Sequence, residues 1–98
     1  MNIKQGKPPL FPTGTVLATA GALELIEKTG TNAVELLMRH VSGDWGAVCE
    51  TDALLNDLAV VAGERVLSSY VIGPSHERIW VITEADRSST TLLRPEEY

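Results

Sequence analysis

Two of the 98 side chains, His40 and His76, belong to the residue type that titrates near neutral pH. His76 lies beside Gly73-Pro74 in a turn-forming stretch and is expected to face water. His40 opens the segment His40-Val41-Ser42-Gly43-Asp44-Trp45-Gly46. A second polar cluster, Thr83-Glu84-Ala85-Asp86-Arg87-Ser88-Ser89-Thr90-Thr91, interrupts an otherwise apolar C-terminal third. If the fold joined the two, His40 could transfer a proton and Arg87 could grip an anion with its planar fork of donors. A hydroxyl from Thr83 or Tyr70, or from Ser68, would orient the group held there. That is the equipment of a metal-independent ribonuclease. A simpler reading makes Asp44, Trp45, Glu84, Asp86, Arg87 and Ser88 a binding rim of donors and acceptors. Simpler still, a charged His40 complements the end of its helix, Trp45 lids the core, and residues 83–91 form a hairpin loop.

Several chemistries are excluded by what is missing. One cysteine and two separated histidines give no zinc spacing. Neither phosphate-binding glycine pattern is present, nor Gly-x-Ser-x-Gly, so no cofactor is expected. Cys49 cannot form an internal disulfide and reads as a small, half-buried residue. Eight basic against thirteen acidic residues leave a net charge of −5, which argues against a broad nucleic-acid surface and against DNA as a partner. No apolar stretch approaches the ~20 residues of a membrane span, and none near the N-terminus has signal-peptide length. The expected location is the cytoplasm, with a protein partner or a second copy of the chain as the expected contact and RNA only under the nuclease reading.

The elements that must position these residues follow from periodicity. Residues 1–14 hold three prolines and two glycines and read as an extended arm, pinned by Leu10 and Phe11. Thr15–Ala18 is a short candidate strand at the edge of the sheet. A first helix starts after Thr19 as N-cap, buries Ala22, Leu23 and Ile26, and stops at Gly30. A second starts at Asn32, with Val34, Leu37, Met38 and Val41 as its inward stripe, and is broken by Ser42-Gly43. A third runs over about residues 52–62, capped by Thr51 or Asp52, with Leu54, Leu55, Leu58 and Val61 inward and Gly63 at its end. Three β-rich segments follow, at residues 65–72, 78–83 and 89–94. Their short links require antiparallel neighbours. The middle segment, Arg78-Ile-Trp-Val-Ile-Thr83, is apolar on both faces and is expected at the sheet centre. The fold expected for the single domain 1–98 is α+β, with two or three N-terminal helices on one face of an antiparallel meander of three to four strands and the other face open.

The segments Gly43-Asp44-Trp45-Gly46 and Ile82-Thr83-Glu84-Ala85-Asp86-Arg87-Ser88, together with Tyr70, resemble a family of short bacterial proteins carried on plasmids and other mobile elements. The resemblance implies a mobile-element origin and no defined activity. The order of elements is also similar to that of compact ribonuclease toxins of the barnase or RelE kind, with His40, Tyr70, Thr83 and Thr90 at matching places. The acidic charge departs from that group. The reading taken forward is a small accessory protein that binds another protein, with the toxin-type ribonuclease as the alternative.

Overall fold

A computed structural model describes residues 8–98, so the first seven residues of the expected arm lie outside it. In chain order, β1 (Thr15–Ala18) is followed by α1 (Ala20–Thr29), α2 (Ala33–Val41) and α3 (Glu50–Ala62), then by β2 (Val66–Ile72), β3 (Glu77–Thr83) and β4 (Ser89–Leu93). A turn of 3₁₀-helix, Pro95–Glu97, ends the chain. The architecture is α+β, with the helices ahead of the β2–β3–β4 meander. The sheet order is β1-β4-β3-β2, which places β3 in the interior as its two-sided apolar pattern requires. β1 joins the edge parallel to β4, pairing Thr15 with Ser89 and Ala18 with Leu92. The sheet is therefore mixed.

Local chemistry sets the helix ends. The Thr19 hydroxyl accepts from the Ala22 N–H, and Asn32 Oδ1 accepts from the N–H groups of Val34 and Glu35. Gly30 and Gly63 end α1 and α3 in the left-handed conformation. The Glu97 carboxylate reinforces the start of α1, because it accepts from the Thr19 hydroxyl at 2.7 Å and from the Arg94 N–H at 2.8 Å. The Thr19 hydrogen bond is the main reason its carboxyl lies below the ordinary glutamate range. Gly21 permits the approach, since a Cβ there would collide with that carboxylate.

Two apolar clusters form the interior. Ala22, Leu25, Ile26 and Leu36 of α1 and α2 cover Tyr70, Ile72, Ile79, Val81 and Leu92 of the sheet. Phe11, Trp45, Ala59 and Val66 form the second cluster, with Val41, Val48, Ala53 and Val60 packed around it. Phe11 anchors the arm as expected, whereas Leu10 is exposed, its N–H donating to the Val41 carbonyl. The far side of the sheet is less open than expected. Ile82 and Leu93 are buried there, and the Tyr98 ring meets Trp80 edge-on at 5.6 Å.

The inward stripes of all three helices differ from their apolar patterns. α1 buries Ala22 and Ile26 as expected but takes Leu25 in place of Leu23, while α2 buries Leu36 and His40, keeps Leu37 and Val41 partly buried against the core and exposes Val34 and Met38. In α3 the reversal is complete. Leu54, Leu55, Leu58 and Val61 face solvent, and Asn56 and Ala59 face in. The helix also starts earlier than expected: Cys49, not Thr51 or Asp52, occupies the N-cap without a side-chain bond, and Cys49 is exposed rather than half-buried.

The reversal has a physical cause. β2 is an edge strand, and its outward backbone groups need partners. Asn56 supplies them in both directions, its Nδ2 donating to the Leu67 carbonyl at 2.8 Å and its Oδ1 accepting from the Leu67 N–H at 3.2 Å. Two residues along, the Ser69 N–H donates to the Trp45 carbonyl, and the Ser69 carbonyl accepts from the Ala47 N–H. The small residues Ala53 and Ala59 let α3 lie close beside the strand. Replacing Asn56 with alanine strands one partly buried donor and one acceptor of Leu67. It is expected to cost about 1–3 kcal/mol in chemical denaturation and to speed exchange of the Leu67 amide above that of Ile82. An Asn56→Ala chain with unchanged stability and unchanged Leu67 exchange would contradict this role.

Candidate functional site

The fold does gather the two polar segments. The register places Thr83 directly across from Thr90, with Val66 on its other side and Ser68 two residues further along β2. All of these side chains point to the helix-covered face, where the end of α2 delivers His40. Its Nδ1 lies 2.6 Å from Ser68 Oγ, and its Nε2 lies 2.9 Å from Thr83 Oγ1. Thr83 Oγ1 is 2.6 Å from Thr90 Oγ1, and the Thr90 hydroxyl donates to the Thr13 carbonyl at 2.8 Å.

That last bond orients the whole chain. A carbonyl can only accept, so the single Thr90 proton is committed to Thr13. Thr83 must then donate to Thr90, and His40 Nε2–H must donate to Thr83. The acceptor Nδ1 takes the Ser68 proton. Every hydroxyl proton in the network is used once, and His40 is held neutral as the Nε2–H tautomer. Burial is the main force behind this, lowering the imidazole pKa from its ordinary value to about 4, and the nearby Arg87 charge adds to it.

Phe11 joins the network to the second segment. Its ring meets His40 edge-on at 5.3 Å, stacks on Trp45 at 6.3 Å and lies 5.2 Å beneath the Arg87 guanidinium. Arg87 is thus close to His40, but three of its five N–H donors are taken. They bond the Ala59 and Glu64 carbonyls at the end of α3 and the Glu84 carbonyl of the hairpin. Tyr70 is also committed. Its hydroxyl donates to the Asp44 carbonyl, the Arg39 guanidinium stacks on its ring at 4.5 Å, and burial pushes the phenol up to about 12.

The remaining residues of the expected rim are dispersed among local roles. Asp44 is paired with Arg39 at 2.6 Å, and that bond chiefly holds its carboxyl below the usual range. Trp45 is buried and donates from Nε1 to Asp57. Glu84 faces Arg65 at 3.5 Å. Asp86 accepts from the Ser88 N–H, closing the hairpin turn, and the Ser88 carbonyl accepts from the Thr15 N–H of β1. The network holds its protons in one fixed arrangement, but it does not meet a substrate as folded. His40, Ser68, Thr83 and Thr90 are all 0% exposed. A nuclease working through His40 would have to break these bonds before touching phosphate.

The exposed surface offers a different candidate, which periodicity located while misjudging its direction. Leu54, Leu55 and Leu58 are 57–59% exposed and Val61 is 88% exposed. Leu54, Leu58 and Val61 recur at helical spacing on one face of α3, with Leu55 beside them. A cleft of about 260 Å³ adjoins this stripe, lined by Val48, Asp52, Leu55, Asn56 and Leu67. Among the described residues, no group of three or more His, Cys, Asp or Glu side chains is placed to hold a metal ion. No helix among them is long and apolar enough to cross a membrane.

Among the described residues, fold and surface together define a helix-covered mixed sheet with a sealed polar network and an apolar face of α3 left in water. No protein-family model, curated protein or solved structure matches the chain.

Proposed function

We propose that this chain is a small accessory protein that acts by binding another protein through the outer face of α3, in keeping with the mobile-element origin that its motifs suggest. The observation that carries the reading is the uncovered row Leu54, Leu55, Leu58 and Val61. Single exposed aliphatics are ordinary, but four on one helix face form a contiguous patch of the kind that marks interaction surfaces. Completing the burial of these side chains is worth roughly 1 kcal/mol apiece. α3 is fastened from behind by Asn56 and Ala59, so the stripe is presented on a fixed support rather than on a loose segment.

Site-specific photo-crosslinking in the host cell tests this. A crosslinker at position 58 should give one discrete adduct, and one at Val71, exposed on the far side of the sheet, should not. Leu54→Asp/Leu58→Asp should abolish capture of that same partner while leaving the unfolding free energy within about 1 kcal/mol of wild type. Equal adducts from positions 58 and 71, or capture that survives the double substitution, would dismiss α3 as the docking face.

A further inference from the structure

The charges around the stripe point to the class of partner. Building on the docking role of α3, we infer that its outer face receives an amphipathic helix flanked by lysine and arginine, one of whose long cationic side chains enters the cleft beside Leu55.

The residues bordering the stripe are acidic on both sides. At 100° per residue, Glu50 and Asp57 fall along one border and Asp52 along the other; all three are exposed. α3 itself contains no lysine or arginine. Among the described residues, Arg65 is engaged with Glu84 and the Tyr98 hydroxyl, Arg87 with the carbonyls at the helix end, and Arg78 with the Ala47 carbonyl and the Ser69 hydroxyl. The apolar face is therefore framed by negative potential, which favours a partner of opposite sign and selects against acidic ones.

The cleft narrows the choice further. At about 260 Å³ it is below the size of ordinary small-molecule sites, yet it has room for a single side chain. It is lined by three aliphatic residues, Val48, Leu55 and Leu67, and by the acidic Asp52. Asn56, the other polar wall, is already bonded to the Leu67 backbone. A lysine or arginine matches this division, with an apolar stem against the aliphatics and a cationic head at Asp52.

A second copy of this chain is a poorer occupant. Its α3 would bring the same acidic borders against Glu50, Asp52 and Asp57. The contact would also be one helix of about 20 Å against another, small beside the ~800 Å² per partner of a stable interface. A helical segment from a larger protein needs no such area to bind reversibly.

The test uses the full chain and two synthetic peptides of about 18 residues, long enough to hold a helix. Both carry leucine at heptad a and d positions, one with lysine and arginine at the flanking positions and the other with glutamate there. Fluorescence anisotropy should show saturable binding of the cationic peptide and at least tenfold weaker binding of its acidic twin. Affinity for the cationic peptide should fall at least tenfold in Asp52→Lys and in Leu58→Asp, and should weaken as salt rises. Equal affinity for both peptides, no binding of the cationic one, or an Asp52→Lys chain that binds it unchanged would overturn the basic-helix assignment. Sedimentation of wild type as a dimer that Leu58→Asp splits would overturn it in favour of self-pairing, with α3 still the docking face. If Leu58→Asp alone left cationic-peptide binding intact, α3 would fail as the docking face as well.

Discussion

His40→Ala is expected to lower the unfolding free energy by about 3–5 kcal/mol at pH 7. The imidazole is fully buried, so its removal leaves a cavity. It also strips the Ser68 hydroxyl of its acceptor and the Thr83 oxygen of its donor. A buried polar group left unpartnered costs about 1–3 kcal/mol, and the cavity adds a further loss. For a domain of this size the total is a large share of the whole. The same geometry fixes the sign of a pH effect. His40 is neutral in the fold with a pKa of about 4, against 6.5 in the unfolded chain, so the unfolded state binds the extra proton between those values. Stability should be fully present above about pH 6.5 and fall as pH drops toward 4, by up to roughly 3 kcal/mol from this group. The depressed carboxyls of Asp44, Asp86 and Glu97 lose their contributions only from about pH 4.5 downward, overlapping the acid end of that window, as protonation removes the charge their partners stabilise. Urea titrations from pH 4 to 7 on wild type and His40→Gln separate the two. A slope that persists undiminished in the variant would mean that His40 does not carry it.

Arg87→Ala is the second substitution with a large expected effect, about 2–4 kcal/mol of destabilisation. The guanidinium spans three carbonyls from two parts of the chain and covers the Phe11 ring. Charge-assisted bonds of this kind are worth more than neutral ones, and the site lies at the negative end of the α3 dipole. The backbone permits a finer distinction. Arg87 has φ near +60°, in the region that favours glycine. Arg87→Gly loses the same bonds but relieves that conformation, so it should be less damaging than Arg87→Ala by about 0.5–1 kcal/mol. Arg87→Lys should recover less than half of the loss, since an ammonium cannot reproduce the planar fork. If alanine, glycine and lysine variants all unfolded at the wild-type denaturant midpoint, Arg87 would not fasten the hairpin to α3.

The same two residues show what was legible in the chain before folding. Their chemical types marked them as an acid–base group and an anion grip, and the fold does bring both against Phe11. Hidden was the direction in which they would be satisfied. His40 shares a helix stripe with Leu36, and nothing local distinguishes a histidine at a helix end from one turned into a sheet. Its partners Ser68, Thr83 and Thr90 lie on three different strands, so their convergence exists only in the assembled register. The β2–β3–β4 meander could be read because alternation and short links are local properties. The parallel contact of β1 with β4 could not, because either edge was open to it. α3 was legible as a helix and misread in orientation for a specific reason. Apolar periodicity presumes that the oily face is the buried one, whereas here an edge strand needed an amide and small residues, and Asn56, Ala53 and Ala59 met that need.

The carbonyl that orients the proton chain belongs to Thr13, 77 residues from Thr90 in sequence. Closing so long a loop is entropically expensive, and distant pairings are typically slow to form. The β2–β3–β4 hairpins should therefore assemble first, with β1 docking late. Until it does, Thr90 has no fixed acceptor, and the imidazole retains access to either tautomer. Refolding monitored by stopped flow should then show its final step slowed by mild acid, as the charged ring must shed a proton before the N-terminal strand can lock in place.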